Sequence, residues 1–403
     1  MGDIVVIGAG QAAASLVARL RGKGHEGAIT VIGAESEPPY QRPPLSKAYL
    51  LGEMDKDRLF LRPRSFYDDQ RITLLLGEPA VSVDTTARHV IAAGREMAYD
   101  DLVFCTGSTP RTLPEAIGGR LEGVCVVRGI ADVDAMRPRF TPGARVLIVG
   151  GGYIGLEAAA VAAKLGLKVT LVEMADRILQ RVAAPQTSDW FRALHAAHGV
   201  DLREGVGLGR LTGSDGRVTA ADLTDGSTLP VDFVIVGVGI LPETALAEAS
   251  GIAIENGIRT DEMGRTSAPH VWAAGDCASF PHEGRQMRLE SVGNAIDQAE
   301  AVADNLMGAA APYVPKPWFW SDQYDVKLQI AGLNTGYDQV VVRAGGDGPV
   351  SHWYYRAGQL IALDAMNDPR AFMVGKRLIE AGKSADPAVV GDAGADLKAL
   401  LRA

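Results

Sequence analysis

Two glycine-rich clusters in this chain have the spacing needed to hold a pyrophosphate. Residues 8–13 read Gly8-Ala-Gly10-Gln-Ala12-Ala13, and residues 150–155 read Gly150-Gly-Gly152-Tyr153-Ile154-Gly155. Each follows a β-branched run and opens a stretch of helical spacing, so backbone amides at a helix start can face an anion that small residues allow to approach. The second cluster has all the glycines of the dinucleotide fingerprint. An acid follows each cluster near the end of the next strand, Glu35 27 residues after Gly8 and Glu173 23 residues after Gly150, placed to accept from ribose hydroxyls. At the first cluster a solvated Glu35, with the backbone of Ala34 lying on the nucleotide, is the alternative. Glu173 would bond a free 2′-hydroxyl and repel a 2′-phosphate, which favours NAD over NADP. Arg177 or Arg181 swinging in to take a phosphate is the alternative there.

The elements that must position these residues form a repeated pattern. A strand at 3–7, a helix at 11–20 and a strand at 29–32 recur as a strand at 145–149, a helix through 165 and a strand at 168–172. Each half ends alike, with a hairpin signal (Ala93-Gly94; Asp225-Gly226), a buried strand (102–105; 233–236) and a glycine, Gly107 or Gly237. Two doubly wound units are expected. A helix follows at 291–307, and from Val326 the character changes to strands at 326–333, 339–344 and 352–366, folded at Ala357-Gly358, with two helical stretches after them. This tail reads as a small α+β domain.

Composition limits what such a fold could bind. Among 403 residues, 40 Lys and Arg against 49 Asp and Glu leave a net charge of −9, so no global positive field attracts nucleic acid or an anionic membrane, and neither partner is expected. Apolar runs such as 233–241 fall far short of the ~20 residues that span a bilayer. Asp3 stands where a secretory leader would be basic, so a cytoplasmic protein is expected. Cys105, Cys125 and Cys277 lie 20 and 152 residues apart, which is neither a disulfide framework nor a metal or iron–sulfur ligand set. No metal site is expected, and redox chemistry would have to come from a bound group.

Further motifs narrow the reading: Pro43-Pro44-Leu45-Ser46-Lys47, Cys105-Thr106-Gly107, the run from Gly150 to Glu157, Ala274-Gly275-Asp276-Cys277, Arg288-Leu289-Glu290-Ser291-Val292 and Pro317-Trp318-Phe319-Trp320-Ser321-Asp322-Gln323-Tyr324. Together these resemble the oxygenase-coupled, NADH-dependent ferredoxin reductases of the putidaredoxin reductase type. The resemblance covers nearly the whole chain. It implies an α/β protein of glutathione-reductase-like architecture, with two Rossmann-like dinucleotide-binding domains (FAD and NAD) and a C-terminal α+β interface domain. The expected boundaries are 1–110 with 245–325 for FAD, 111–244 for NAD and 326–403 for the interface domain.

The resemblance further implies non-covalent FAD on Gly8, Gly10, Ala12, Ala13, Ala34 or Glu35, Arg42, Lys47, Ala80, Arg128, Asp276, Val292 and Trp320. NADH, the electron donor, would lie on Gly150, Gly152, Tyr153, Ile154, Gly155, Glu157, Glu173, Arg181 and Gly239. Ala13 stands where many relatives have glycine. Asp276 would bind the ribityl chain or cap a following helix. The helix amides after Ser291 would face the flavin and favour its reduced anion by roughly 0.3–2 kcal/mol, or belong to an ordinary capped helix. Trp320 would cover the flavin or line the electron route, or simply pack with Trp318.

The catalytic pair implied is Lys47, beside the flavin N5, and Glu157, approaching from the NAD domain. Hydride transfer needs stacked rings at ~3–3.5 Å with water excluded. At ~4 Å and an effective dielectric near 20 the pair's Coulomb attraction is about 4 kcal/mol before desolvation. Disulfide reductases of this architecture carry redox cysteines where this chain has residues 42–47, and none is present. Cys105 and Cys277 read as small buried residues. Electrons would leave singly to an external carrier, or pass to oxygen or a quinone. The resemblance selects a two-iron two-sulfur ferredoxin, docked transiently on a monomer or weak dimer and serving a haem monooxygenase or other oxygenase. An NADH oxidase, a rubredoxin or monodehydroascorbate reductase, and an NADH-sensing flavoprotein like apoptosis-inducing factor are the alternatives.

Overall fold

The computed structural model describes residues 2–346 and 348–402. The chain divides into two compact units, one of Met1–Gln41, Asp55–Thr109 and Ile240–Pro317, the other of Arg42–Met54, Pro110–Gly239 and Trp318–Ala403.

In the first unit the strands Val271–Ala273, Asp101–Phe104, Ile4–Ile7, Ile29–Gly33 and Ile72–Leu76 form, in that order, a parallel sheet. The Ile4–Ile7 strand is buried at every residue, as a strand covered on both faces must be. On one face the helices Gln11–Gly22 and Val292–Leu306 bury Leu16, Leu20, Ala299 and Val302 against Ile4 and Val6. Val5, Ile7 and Phe104 face Val83 and Val90 of an antiparallel three-stranded sheet, Ala80–Asp84, His89–Ala92 and Arg95–Ala98. The Ala93-Gly94 turn joins its last two strands with both φ angles positive, +56° and +65°, which matches the right-handed twist of a hairpin.

The second unit repeats the plan. Its parallel sheet runs Asp201–Glu204, Lys168–Glu173, Arg145–Val149, Phe233–Val236 and Val124–Cys125. One face buries Leu147, Val149 and Val172 against Leu211, Val218 and Leu223 of another antiparallel three-stranded sheet. The same unit contains a five-stranded antiparallel sheet in the order Trp318–Gln323, Val326–Gly332, Gln359–Met366, Val350–Arg356 and Gln339–Ala344. The helix Pro369–Glu380 packs Ala371 and Val374 onto Trp353 and Leu363. The change of character at Val326 does not mark this sheet's beginning. Its edge strand Trp318–Gln323 is fixed by pairing with 326–331 through a tight turn at Tyr324, whose φ is +57°. Among the described residues, no helix is long and apolar enough to cross a membrane.

A buried polar cluster ties this sheet to the helix Pro185–Ala197 of the same unit. The Asp364 carboxylate, 1 % exposed, accepts from Thr187 Oγ1 at 2.7 Å and from the Tyr354 hydroxyl, while Thr187 Oγ1 also meets His352 Nδ1 at 2.7 Å. Burial pushes the Asp364 carboxyl up from 3.8 to about 6. Folded Asp364 therefore holds its proton more tightly than unfolded, so its contribution to stability is full below about pH 4 and lost as pH rises through about 6. That window corresponds to about 3 kcal/mol. Asp364→Asn removes this slope, so denaturant unfolding across the window will show wild type losing stability relative to the variant as pH rises. Parallel profiles would contradict the assignment.

Candidate active site

The predicted FAD residues of the first unit gather at the carboxyl ends of its parallel strands, where α/β sheets bind nucleotides. Gly8 ends the first strand with φ +109°, and a Cβ there would lie 2.1 Å from the Cys105 carbonyl oxygen. Gly10 is the N-cap of the first helix. No side chain caps that end, no acid occupies its first turn, and a Cβ at Gly10 would meet nothing within 4 Å. Open helix amides of this kind fit a pyrophosphate. Ala12 and Ala13 are buried in the first turn.

Gly275, with φ +83°, brings the loop before Asp276 against this turn: a Cβ on it would lie 3.0 Å from the Ala12 Cβ. Gln298 holds the loop by accepting from the Gly275 amide at 2.9 Å. The Asp276 carboxylate accepts from Ser108 Oγ at 3.1 Å. The strand Ala278–His282 follows, so Asp276 caps no helix. Ser291 caps the helix that Val292 opens, accepting from the Asn294 amide at 3.1 Å. Beyond the second strand Ala34 is exposed, and Glu35 is half-buried and accepts from the Tyr40 hydroxyl. Ala80 opens the strand Ala80–Asp84.

The second unit builds a tighter cradle. Gly150 has φ +108°, and its Cβ would fall 2.4 Å from the Gly237 carbonyl oxygen. Gly152 is an uncapped N-cap with open space where its Cβ would be. A Cβ at Gly155 would sit 2.0 Å from the Gly150 carbonyl oxygen, so only glycine lets the helix pack this close to the strand. The Glu173 carboxylate reaches this loop, accepting from the Gly151 amide at 2.7 Å and from the Ala175 amide at 2.8 Å. Of the two candidate phosphate ligands, Arg177 donates to Ser188 Oγ at 2.6 Å, while Arg181 Nη2 lies 3.9 Å from where a Gly239 Cβ would be. Arg111, which no sequence signal marks, flanks Gly239 as well and donates its amide to the Gly239 carbonyl at 2.9 Å. Ile154 is exposed, and the Tyr153 ring packs on Phe319 at 4.9 Å. The Tyr153 phenol is buried, which holds its pKa well above the ordinary value.

Lys47 and Glu157 meet within this unit. Lys47 Nζ stands 2.7 Å from Glu157 Oε2 and donates to the Pro43 carbonyl at 3.2 Å. Glu157 is 2 % exposed and also accepts from Ser46 Oγ at 2.5 Å and Ser321 Oγ at 2.7 Å. Burial raises its pKa, opposed by Lys47 and the two hydroxyls. Ser46 and Ser321 lie within the sequence motifs but no sequence signal marks them for this role, because only the folded chain shows which side chains reach residue 157. Arg42 donates to the Arg128 carbonyl at 2.8 Å. Trp320 is half-buried and stacks with Trp318, ring centroids 5.4 Å apart, so neither is a fully buried core residue. Cys105 and Cys277 are buried, and burial pushes both thiols up, away from the nucleophilic thiolate.

Two separate uncapped glycine cradles, one followed by an acid on its own loop and by a buried glutamate paired with a lysine, define an enzyme that handles two dinucleotides. Comparison with known proteins agrees: the pyridine nucleotide-disulphide oxidoreductase family matches residues 2–299 and the reductase C-terminal family matches residues 318–401. The chain belongs to the pyridine nucleotide-disulphide oxidoreductases, and within them to the ferredoxin reductases, oxidoreductases that use FAD and NAD(P)H. It is 47 % identical to a ferredoxin–NAD(P)(+) reductase of Sphingomonas sp, over 96 % of this chain and 94 % of that one. Among solved structures it resembles the reductase of the covalent putidaredoxin reductase–putidaredoxin complex, with TM-score 0.96, 38 % identity and coverage of 100 % and 98 %. It also resembles the ferredoxin reductase for the CYP199A2 system of Rhodopseudomonas palustris, with TM-score 0.95, 40 % identity and coverage of 98 % and 99 %.

The clash at Gly155 gives a direct test. Gly155→Val is expected to weaken NAD binding at least about tenfold, equivalent to about 1.4 kcal/mol, with FAD content unchanged because the cradle expected to take FAD lies in the other unit. Titration of the purified variant with NAD, alongside its flavin-to-protein absorbance ratio, checks this.

Proposed function

We propose that this protein is an NADH:ferredoxin reductase that supplies electrons singly to a two-iron two-sulfur ferredoxin of an oxygenase system, such as a haem monooxygenase. The observation that carries the reading is the ion pair of half-buried Lys47 with the buried Glu157 carboxylate, set one helical turn from the dinucleotide glycines. The names of the relatives, ferredoxin reductases partnered with redoxins, support the acceptor class. The proposed division keeps residues 1–110 for FAD and 111–244 for NAD, and moves the expected boundary at 325 back so that 245–317 go with FAD and 318–403 form the C-terminal domain, since the edge strand Trp318–Gln323 belongs to the C-terminal sheet. The protein is proposed to work in the cytoplasm as a monomer or weak dimer, meeting its ferredoxin transiently.

FAD, when bound, supplies a centre that accepts an electron pair as hydride and releases electrons one at a time. The chain supplies binding and orientation. Gly8, Gly10, Ala12 and Ala13 would leave helix amides open to the FAD pyrophosphate, and Asp276, held by Ser108 and by its Gln298-anchored loop, would bind the ribityl chain. Gly150, Gly152 and Gly155 would do the same for NADH. Lys47, fixed by Glu157 and the Pro43 carbonyl, would be the group held beside a bound nicotinamide. Cys105 and Cys277 are buried as thiols, which supports release of the electrons to an outside carrier.

The preference for NADH rests on Glu173, whose carboxylate lies on the NAD cradle while Arg177 is bound to Ser188. A free 2′-hydroxyl can donate to that carboxylate, whereas a 2′-phosphate is repelled. Steady-state turnover with a two-iron two-sulfur ferredoxin is expected with NADH, and kcat/KM with NADPH is expected at least about a hundredfold lower, roughly 2.7 kcal/mol. No ferredoxin reduction would end the functional reading, and equal use of the two donors would end the role of Glu173. Lys47→Met is expected to slow flavin reduction by NADH about tenfold or more in rapid mixing, with FAD content retained.

A further inference from the structure

The second unit contains a continuous line of polar side chains that neither cradle uses, running from Glu157 to the surface. Glu157 Oε1 accepts from Ser321 Oγ at 2.7 Å, Gln323 Nε2 reaches Ser321 Oγ at 3.1 Å, Gln323 Oε1 lies 2.8 Å from His195 Nε2, and the Tyr324 hydroxyl is 3.1 Å from His195 Nδ1. Ser321, Gln323 and His195 are buried. The Tyr324 ring stacks at 3.6 Å on His198, which is exposed.

Donor and acceptor chemistry gives this line a single direction. A carboxylate only accepts, so the one Ser321 proton goes to Glu157 and the Ser321 lone pairs face Gln323. The Gln323 amide therefore points its NH2 to Ser321 and its oxygen to His195. A carbonyl oxygen also only accepts, so His195 Nε2 must carry a proton. Burial holds His195 neutral, with its pKa down at about 4, so Nδ1 is left as an acceptor for Tyr324. Every donor from Tyr324 onward points toward Glu157. The opposite Gln323 orientation would set its oxygen against Ser321, whose proton is already committed, and its NH2 against His195.

We infer that Ser321, Gln323 and His195 are positioning residues, forming a one-way hydrogen-bond chain that keeps Glu157 ionised and aimed at Lys47. The charged and titratable groups around Glu157 are Lys47 from the 42–54 segment and Tyr153 from its own helix, with the Ser46 hydroxyl beside Lys47. Those around His195 are His198, just past the end of its helix, and Tyr324. Without Ser321 the carboxylate keeps its burial and loses a donor, so its ionised form is less favoured. Gln323 acts one step back, by fixing which way the Ser321 proton points.

This inference rests on the reading of Lys47 and Glu157 as the working pair, and its test separates the two. Flavin reduction of the FAD-loaded protein by NADH is measured by rapid mixing from pH 5.5 to 9, and the His195 tautomer is read by long-range proton–nitrogen NMR on protein labelled at histidine nitrogen. Ser321→Ala and Gln323→Leu are each expected to move the acid limb of the rate profile upward by about one pH unit, roughly a tenfold rate loss below it. Ser321→Thr, which keeps the hydroxyl, is expected to restore the wild-type limb, and wild-type His195 is expected as the Nε2–H form. An unmoved acid limb in Ser321→Ala, with only thermal stability lowered, would overturn the chain, as would an Nδ1–H tautomer. Should Gln323→Leu fail to fold, Ser321→Ala decides alone. Glu157→Gln reports on the underlying pair: unchanged flavin reduction there would remove Glu157 from the chemistry, and the His195 tautomer would then decide the chain, Nε2–H upholding it and Nδ1–H refuting it.

Discussion

A carboxylate buried as deeply as Glu157 survives in a folded protein only if its charge is matched and its oxygens are bonded. The second unit meets that demand from separate parts of the sequence: Lys47 and Ser46 from one segment, Ser321 from the edge strand of the C-terminal sheet. Those partners bring three stretches of chain, more than a hundred residues apart, into one place. This constraint explains why Arg42–Met54 belongs to the second unit although the residues on both sides of it belong to the first. The segment is held further by the Tyr49 hydroxyl on Asp134 at 2.7 Å, by Arg137 over the Tyr49 ring at 4.7 Å and by Lys164 on Glu53 at 2.8 Å.

Both units carry the same device, a strand-end glycine whose Cβ would strike a backbone carbonyl, followed by an uncapped glycine at the helix start. They differ at the third position. In the second unit the helix lies so close to its strand that a Cβ on Gly155 would be 2.0 Å from a carbonyl oxygen. In the first, Ala13 is accommodated wholly buried, so that helix stands far enough off to take a methyl group. The substitution of alanine for glycine thus changes helix–strand packing while leaving the open amides of the cradle in place.

The C-terminal sheet does more than add a core of its own. Its edge strand supplies Ser321 and Gln323 to the surroundings of Glu157 and Phe319 to the face of Tyr153. Its central strands anchor on Thr187 through Asp364 and Tyr354. Within the second unit, the helices Tyr153–Lys164 and Pro185–Ala197 are therefore tied to the antiparallel sheet through buried polar groups.

Most of the local architecture was legible in the residues. The glycine spacing marked both cradles, the β-branched runs marked the parallel strands, and Ala93-Gly94 and Ala357-Gly358 marked hairpins, because turns and phosphate loops impose φ angles that few residues accept. The Lys47–Glu157 pair could be named only through resemblance, since nothing in the spacing of residues 47 and 157 implies contact. Ser46, Ser321, Gln323, His195 and Arg111 were visible as residue types but not as a site. The sequence by itself determined which backbone shapes and helix starts were possible, because those depend on neighbours along the chain. Only the tertiary structure decided which polar groups would share the buried charge of Glu157, because that choice is made by burial and by distances between segments that the chain order does not record.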